Sequence, residues 1–109
     1  MLNLIMELIF EVIYDNSYFQ RPTKSRPGCQ IDYLIQMKFN VLYLCEIKFS
    51  KGPMGVSVIK EVEKKIKSLA KPKNFSLRPV LIHVNGVTDD LVESAFFSNI
   101  LDFGQFFHV

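Results

Sequence analysis

The 109-residue sequence has no tryptophan, only two cysteines and two histidines, and little excess of charge of either sign. Its cysteines and histidines stand apart, without a Cys-x-x-Cys pair or a cluster of zinc-ligand spacing, so no zinc site is expected. Cys29 and Cys45 are expected to be reduced and buried rather than bridged, as in a cytoplasmic protein. The formal net charge of +2 is too small to indicate a nucleic-acid partner by itself.

Long apolar runs are also lacking. Glu7, Glu11 and Asp15 interrupt the one candidate for a membrane span, at the start of the sequence, so no membrane partner is expected. That stretch has no basic leader, which favours a cytoplasmic location over secretion. The length suits a single domain over residues 1–109, in which one site dominates the function.

The segment 2–14 carries two conflicting periodicities. Every even position from Leu2 to Tyr14 is apolar, as in a strand, whereas polar residues recur every four positions, as on a helix. A continuous stretch of about 13 residues is ordinary for a helix and long for a strand, so we predict a helix. The next segment, 15–28, combines turn-forming residues with Arg21, Lys24 and Arg26, and predicts an exposed basic loop.

Two β-rich runs, 29–37 and 41–49, are separated by three residues and predict a β-hairpin. Apolar residues at helical spacing then predict a helix over roughly 56–70, ended by Pro72. Residues 79–84 predict a buried strand. A short helix over 89–95 capped by Thr88, a strand over 96–101 and a turn of helix over 102–107 complete the predicted order.

Alternation along the hairpin gives its two faces different chemistry. One face is apolar and is predicted to be core; it comprises Ile31, Tyr33, Ile35, Met37, Val41, Tyr43, Cys45, Ile47 and Phe49. The other face carries Gln30, Asp32, Glu46 and Lys48 at one end. If Phe39 is the centre of the turn, Asp32 lies opposite Glu46 and Gln30 opposite Lys48. A shift of one residue would instead place Asp32 opposite Ile47 and separate these groups.

Acidic residues directly opposite each other on neighbouring strands have Cβ atoms about 5 Å apart, and their carboxylates repel each other unless they share a proton or a cation. Oxygen ligands favour Mg²⁺ or Mn²⁺, and the Ile47 carbonyl offers one more oxygen. Lys48 is placed to orient a water molecule or stabilise charge on a phosphate. The pattern therefore favours metal-assisted phosphodiester hydrolysis. Glu-x-Lys triplets also occur as solvated charge on surface strands, and this alternative stays open.

The two motif strands resemble a known superfamily. Residues 28–35, GCQIDYLI, and 44–50, LCEIKFS, are similar to segments of PD-(D/E)xK nuclease domains at the C-terminal end of archaeal-type ATPases and their bacterial relatives. The likeness covers about residues 28–107, strongly over the motif strands and loosely elsewhere. It implies a restriction-endonuclease-like α/β fold, with a mixed central sheet flanked by helices on both sides, and Mg²⁺-dependent DNA cleavage.

The resemblance also assigns roles to individual residues. Asp32 takes the place of the motif aspartate, Glu46 and Lys48 form the ExK pair, and Gln30 is the polar residue two before the aspartate. The superfamily often adds a glutamate from its first helix, which here is either Glu7 or Glu11. No phosphate-binding Gly-x-x-x-x-Gly-Lys-Ser/Thr segment is present, so a freestanding or truncated form of such a protein is expected, with a separate ATPase as a candidate partner. A catalytically silent nucleic-acid-binding or interaction module is the alternative function.

Other features are weaker. Lys60, Lys64, Lys67 and Lys71 recur on one stripe of the predicted helix and, with Lys51, suit either a DNA-backbone contact or a solvated face. His83, in an apolar strand, is predicted to be a hydrogen-bonded core or sheet-edge residue. The phenylalanine-rich C-terminus is assigned to packing, and the apolar ends of the chain suit a homodimer.

Overall fold

The β-rich runs form one mixed sheet in the computed structural model, which describes residues 12–104. Its five strands are β1 (Val12–Gln20), β2 (Cys29–Met37), β3 (Val41–Lys48), β4 (Ser76–His83) and β5 (Asn99–Asp102). They lie side by side in chain order, antiparallel from β1 to β3 and parallel from β3 to β5. Parallel neighbours require a crossover, and helices α1 (Ser57–Ser68) and α2 (Asp89–Glu93) lie in the two crossovers.

The predicted hairpin is confirmed, and so is its register as far as the ladder extends, although the predicted pairs Asp32–Glu46 and Gln30–Lys48 are not among the ladder pairs. Strands β2 and β3 pair from Met37–Val41 to Tyr33–Cys45, with Leu34 opposite Leu44 as the turn position requires. Phe39 and Asn40 adopt the left-handed conformation, with φ of 65° and 60°, which closes the turn within three residues. The register therefore keeps Asp32 and Glu46 at the same end of the hairpin.

Apolar side chains are buried on both faces of the sheet. Leu34, Leu42, Leu44 and Leu81 pack with residues of both crossover segments, among them Val58, Val62, Leu91 and Phe97. A second cluster is formed by Ile35, Met37, Tyr43, Cys45, Val80 and Leu101. Within residues 12–104, both helices pack against the first of these clusters. Neither of them has the length and apolar character that crossing a bilayer requires.

The predictions for the first part of the chain are wrong where the structure describes it. Residues 12–14, predicted as helix, and 15–20, predicted as loop, form β1, which pairs with β2. The segment is mostly exposed at the sheet edge, so its polar and turn-forming residues are tolerated there. The rest of the helix predicted over 2–14 lies outside the described residues.

Two residues predicted to lie on the apolar core face of the hairpin do not: Phe49, just after β3, is 67% exposed, and Ile31 of β2 lies on the other face. Ile31 packs in the helix-side cluster with Leu34, not with Ile35 and Met37. Opposite β1, the pairs Asn16–Leu34 and Tyr18–Ile31 leave two residues of β2 facing one of β1, which interrupts strict alternation.

The remaining elements need smaller corrections. Helix α1 ends at Ser68, before Pro72, and α2 spans only 89–93 of the predicted 89–95. The Thr88 side chain caps no backbone N–H of α2 and instead donates a hydrogen bond to Asp90. The last strand, β5, is shifted to 99–102 and includes Asp102, which was assigned to a terminal turn of helix. Residues 105–107 of that turn lie outside the described residues.

Candidate active site

Asp32 lies where the β2–β3 ladder ends. Its Oδ2 accepts a hydrogen bond from the backbone N–H of Ile47 at 2.8 Å, just beyond the last ladder pair, Tyr33–Cys45. The side chain thus takes over a hydrogen bond that a strand backbone would otherwise make. This contact fixes the half-buried carboxylate at the gap between the two strands.

Glu46 is a buried charged residue, with 1% of its surface exposed. The Lys65 ammonium donates to both of its carboxylate oxygens, at 3.2 Å to Oε1 and 2.9 Å to Oε2. Lys48 Nζ lies 3.5 Å from Oε1. Burying an unpaired carboxylate is costly, so these two ammonium groups account for its presence beneath α1.

Lys48 connects this buried carboxylate to the surface. Its ammonium lies 2.8 Å from Glu61 Oε2 on the exposed side of α1, as well as near Glu46. The hydrogen bond with Glu61 raises the pKa of Lys48, and the charge of Glu46 adds to that effect against the opposing influence of partial burial. Lys48 is therefore held as a cation beside Glu46.

Lys65 is a site residue that the sequence pattern did not predict. It was not part of the lysine stripe, yet the spacing Val58, Val62, Lys65, Leu69 places it in a row with three buried apolar residues of the α1 segment. A lysine in an apolar row either extends its ammonium to solvent or pairs with a buried anion, and Glu46 in the preceding β-rich run is a candidate for that anion. That combination was the signal available.

A cleft of about 420 Å³ opens between β2 and α1 and will be called the β2–α1 cleft. It is lined by Cys29, Gln30 and Asp32 from β2 and by Lys64, Lys65 and Ser68 from α1. Gln30 and Asp32 thus share a surface with two lysines. Since Lys65 also contacts Glu46, it links the cleft that Asp32 lines to the buried Glu46 carboxylate.

Gln20 and Gly28, which precede Asp32 in the chain, position the elements that surround this cleft. The Gln20 side-chain amide donates to the carbonyls of Ser68 and Pro27, at 2.6 and 3.0 Å, and its oxygen accepts from Ala70 N–H at 2.8 Å. The end of β1 is thereby tied to the end of α1. At Gly28, a Cβ would lie 2.7 Å from the Gln20 carbonyl oxygen, so the close approach requires glycine.

Most of the other predicted cationic contacts lie outside this cleft. Of the lysine stripe only Lys64 lines it, whereas Lys60 and Lys67 are exposed. The Lys71 ammonium donates to the Phe75 carbonyl at 2.9 Å. Lys51, like the basic loop residues Arg21 and Lys24, is exposed, and Arg26 donates to the Leu69 carbonyl at 3.3 Å. Both Glu7 and Glu11 lie outside the described residues.

The cysteine and histidine predictions can also be checked. Cys29 and Cys45 are free thiols, as predicted, although Cys29 is only half-buried. Burial, reinforced by the charge of Asp32, raises the pKa of Cys45 to about 12. His83 is buried and its Nδ1 accepts a hydrogen bond from Gly86 N–H at 3.1 Å, which confirms its assignment to hydrogen-bonded packing.

The described donors for a metal ion are few. Among residues 12–104, no group of three or more histidine, cysteine, aspartate or glutamate side chains is arranged to hold a metal ion. Asp32 and Glu46 lie at the same end of the hairpin, and Glu46 has Lys48 and Lys65 beside it.

No protein-family model, curated protein or solved structure matches the chain.

Proposed function

We propose that this chain is a PD-(D/E)xK-type nuclease domain that hydrolyses phosphodiester bonds, with DNA as the favoured substrate and Mg²⁺ or Mn²⁺ as its cofactor. The observation that carries the proposal is the hairpin register, which keeps Asp32 and Glu46 at the same end of the hairpin, with Asp32 lining the β2–α1 cleft and Glu46 buried against Lys65 of the same cleft. The five-stranded mixed sheet is compatible with the restriction-endonuclease-like fold that the motif resemblance implies. The same resemblance predicts the roles of Gln30 and Lys48.

The candidate ligands suit Mg²⁺ or Mn²⁺ better than Ca²⁺, which takes more oxygen ligands. Mg²⁺ commonly keeps several waters and takes only one or two protein carboxylates, so Asp32 and Glu46 meet its usual requirement. The Ile47 carbonyl, between the motif residues Glu46 and Lys48, would add a further oxygen. Either Glu7 or Glu11, from the N-terminal segment, is proposed as a third carboxylate.

Bound at these oxygens, the ion would polarise the phosphate and lower the pKa of a coordinated water molecule. Side chains of the protein would supply the other interactions with the substrate. Lys48 remains charged through its contacts with Glu61 and Glu46, and so supplies a fixed positive charge for the phosphate as negative charge develops. Gln30 and Lys64 line the cleft and offer hydrogen bonds to the flanking nucleic-acid backbone.

The test is cleavage of plasmid and linear DNA with Mg²⁺ or Mn²⁺ by the wild type and by Asp32→Asn and Lys48→Met. Asn retains an oxygen that can accept the Ile47 hydrogen bond, so the first variant should fold while losing at least about 100-fold in rate. Asp89→Asn and Lys73→Met, at exposed positions outside the motif strands and the cleft lining, are the matched controls. Equal cleavage by all five proteins would mean that the activity belongs to a contaminant or to another site.

A catalytically silent nucleic-acid-binding module is the second candidate. It is favoured by the two ammonium groups that already compensate Glu46. This alternative predicts DNA binding that weakens with salt and is insensitive to Asp32→Asn, with no cleavage under any divalent cation. Binding measured by fluorescence anisotropy at several salt concentrations, beside the cleavage assay, separates the two functions.

The proposed partners follow from the same assignment. A homodimer would place two sites on one duplex, and a separate ATPase is the partner implied by the families that the motif strands resemble. Sedimentation at several protein concentrations, with and without duplex DNA, tests the dimer.

A further inference from the structure

Lys65 contacts both carboxylate oxygens of Glu46, a residue proposed above as a metal ligand. The ammonium lies within 3.2 Å of both carboxylate oxygens, so it bridges the group on the side that faces α1. Lys48, by contrast, lies 3.5 Å from one oxygen and is closer to Glu61, at 2.8 Å. Lys65 is therefore the principal counter-ion of the buried carboxylate.

A divalent cation on Glu46 would need the oxygens to which Lys65 donates. An ammonium group and a divalent ion sharing one carboxylate at contact distance repel each other strongly in a partly buried site. Both cannot keep their best positions. Lys65 must then either exclude the ion or leave the carboxylate.

The β2–α1 cleft offers the Lys65 ammonium a second position. Its side chain is 23% exposed, and it lines the β2–α1 cleft next to Lys64. Lysine reaches either position by rotation about its four-carbon stem, with no movement of the α1 backbone. With Lys65 turned into the cleft, its ammonium group and that of Lys64 would both face a bound anionic strand.

We infer that Lys65 is an exchangeable counter-ion: it neutralises Glu46 when no divalent cation is bound, and it turns into the β2–α1 cleft when the ion takes its place. This inference rests on the proposed function, because it concerns the same carboxylate. It makes Lys65 a positioning residue whose removal strengthens metal binding, whereas loss of a ligand weakens it.

The experiment is calorimetric titration of Mn²⁺ into the wild type, Lys65→Met and Lys64→Met. Methionine retains the apolar length of the stem and removes the charge. Lys64→Met makes the same charge change on the same cleft without touching Glu46, which controls for general electrostatics. We expect Lys65→Met to bind Mn²⁺ at least about tenfold more tightly than the wild type, and Lys64→Met to differ by no more than about twofold.

Thermal melting gives a second readout that does not require activity. Lys65→Met should melt at a lower temperature than the wild type in EDTA and should gain more on addition of Mn²⁺, because the ion replaces a missing charge. If Lys65→Met does not fold, Lys65→Arg serves instead. Its guanidinium holds a carboxylate through two parallel hydrogen bonds and should weaken Mn²⁺ binding relative to the wild type.

The outcomes separate this inference from the proposed function. Unchanged or weaker Mn²⁺ binding by folded Lys65→Met, or unchanged binding by Lys65→Arg where that variant is needed, overturns the exchange even if the wild type cleaves DNA. Tighter binding by Lys65→Met in a protein that cleaves no DNA supports the exchange and contradicts the nuclease. No Mn²⁺ binding by any variant overturns both.

Discussion

Two ion pairs at the candidate site have nearly the same length but differ in burial, so they show which of the two properties determines the strength of an ion pair. Lys48 and Glu61 approach to 2.8 Å, and Lys65 and Glu46 to 2.9 Å, so distance alone predicts nearly equal strength. Their surroundings differ, since the Glu61 side chain is 57% exposed and that of Glu46 only 2%. We predict that the buried pair is clearly the stronger.

The expected magnitudes follow from these exposures. Water surrounds Glu61, so coupling between Lys48 and Glu61 should stay below about 1 kcal/mol, as for other surface pairs. Removing one partner of a fully buried pair costs about 3–5 kcal/mol. Lys65 keeps some contact with water and Lys48 remains near Glu46, so coupling between Lys65 and Glu46 should be about 1.5–3 kcal/mol.

Double-mutant cycles measured by urea unfolding at neutral pH provide the test. One cycle combines Lys65→Met with Glu46→Gln, and the other combines Lys48→Met with Glu61→Gln. Repeating both in about 0.5 M NaCl should remove most of the exposed coupling and little of the buried one. Equal couplings in the two cycles, or equal losses in salt, would refute the assignment of Glu46 as a buried charge neutralised mainly by Lys65.

Two further predictions concern the scaffold. Because the folded-state pKa of Cys45 is raised from 9.0 to about 12, the folded protein holds the thiol proton more tightly than the unfolded chain does. The stabilisation of the folded state that results is fully present below pH 9.0 and is lost as pH rises toward 12. Unfolding by urea from about pH 8 to about pH 11 should therefore show a steeper loss of stability in the wild type than in Cys45→Ala, and parallel curves would contradict this. Gly28→Ala should cost about 1–3 kcal/mol through its clash with the Gln20 carbonyl. Gly52→Ala, where a Cβ meets nothing within 4 Å, should be close to neutral in the same unfolding assay.

The hairpin and its register could be predicted because their causes are local. Period-two alternation defines the faces of each strand, and a three-residue turn leaves few ways to pair them. Those two facts were enough to keep Asp32 and Glu46 at one end. The α1 helix was found by the same means, since its apolar spacing is a property of adjacent turns.

The errors arise where a partner decides the structure. Residues 15–20 have the composition of a loop, but β2 offers them an edge to pair with and they become β1. Ile31 changes face because the β1–β2 pairing carries an extra residue on β2, which alternation along one strand does not reveal. Lys65 was overlooked for a related reason, since its role depends on which strand α1 covers.

The partnership between Lys65 and Glu46 links the formation of the site to the docking of α1. Val58, Val62 and Leu69 bury the apolar row of the α1 segment against the sheet, and the lysine in that row brings the charge that compensates Glu46. Asp32 takes no part in this compensation, because it is held by a backbone N–H at the strand gap. Substitution of Glu46 therefore disturbs folding and chemistry together, whereas Asp32→Asn changes the proposed chemistry while leaving the buried ion pair intact. For this reason Asp32, not Glu46, is the position at which loss of activity can be attributed to the site itself.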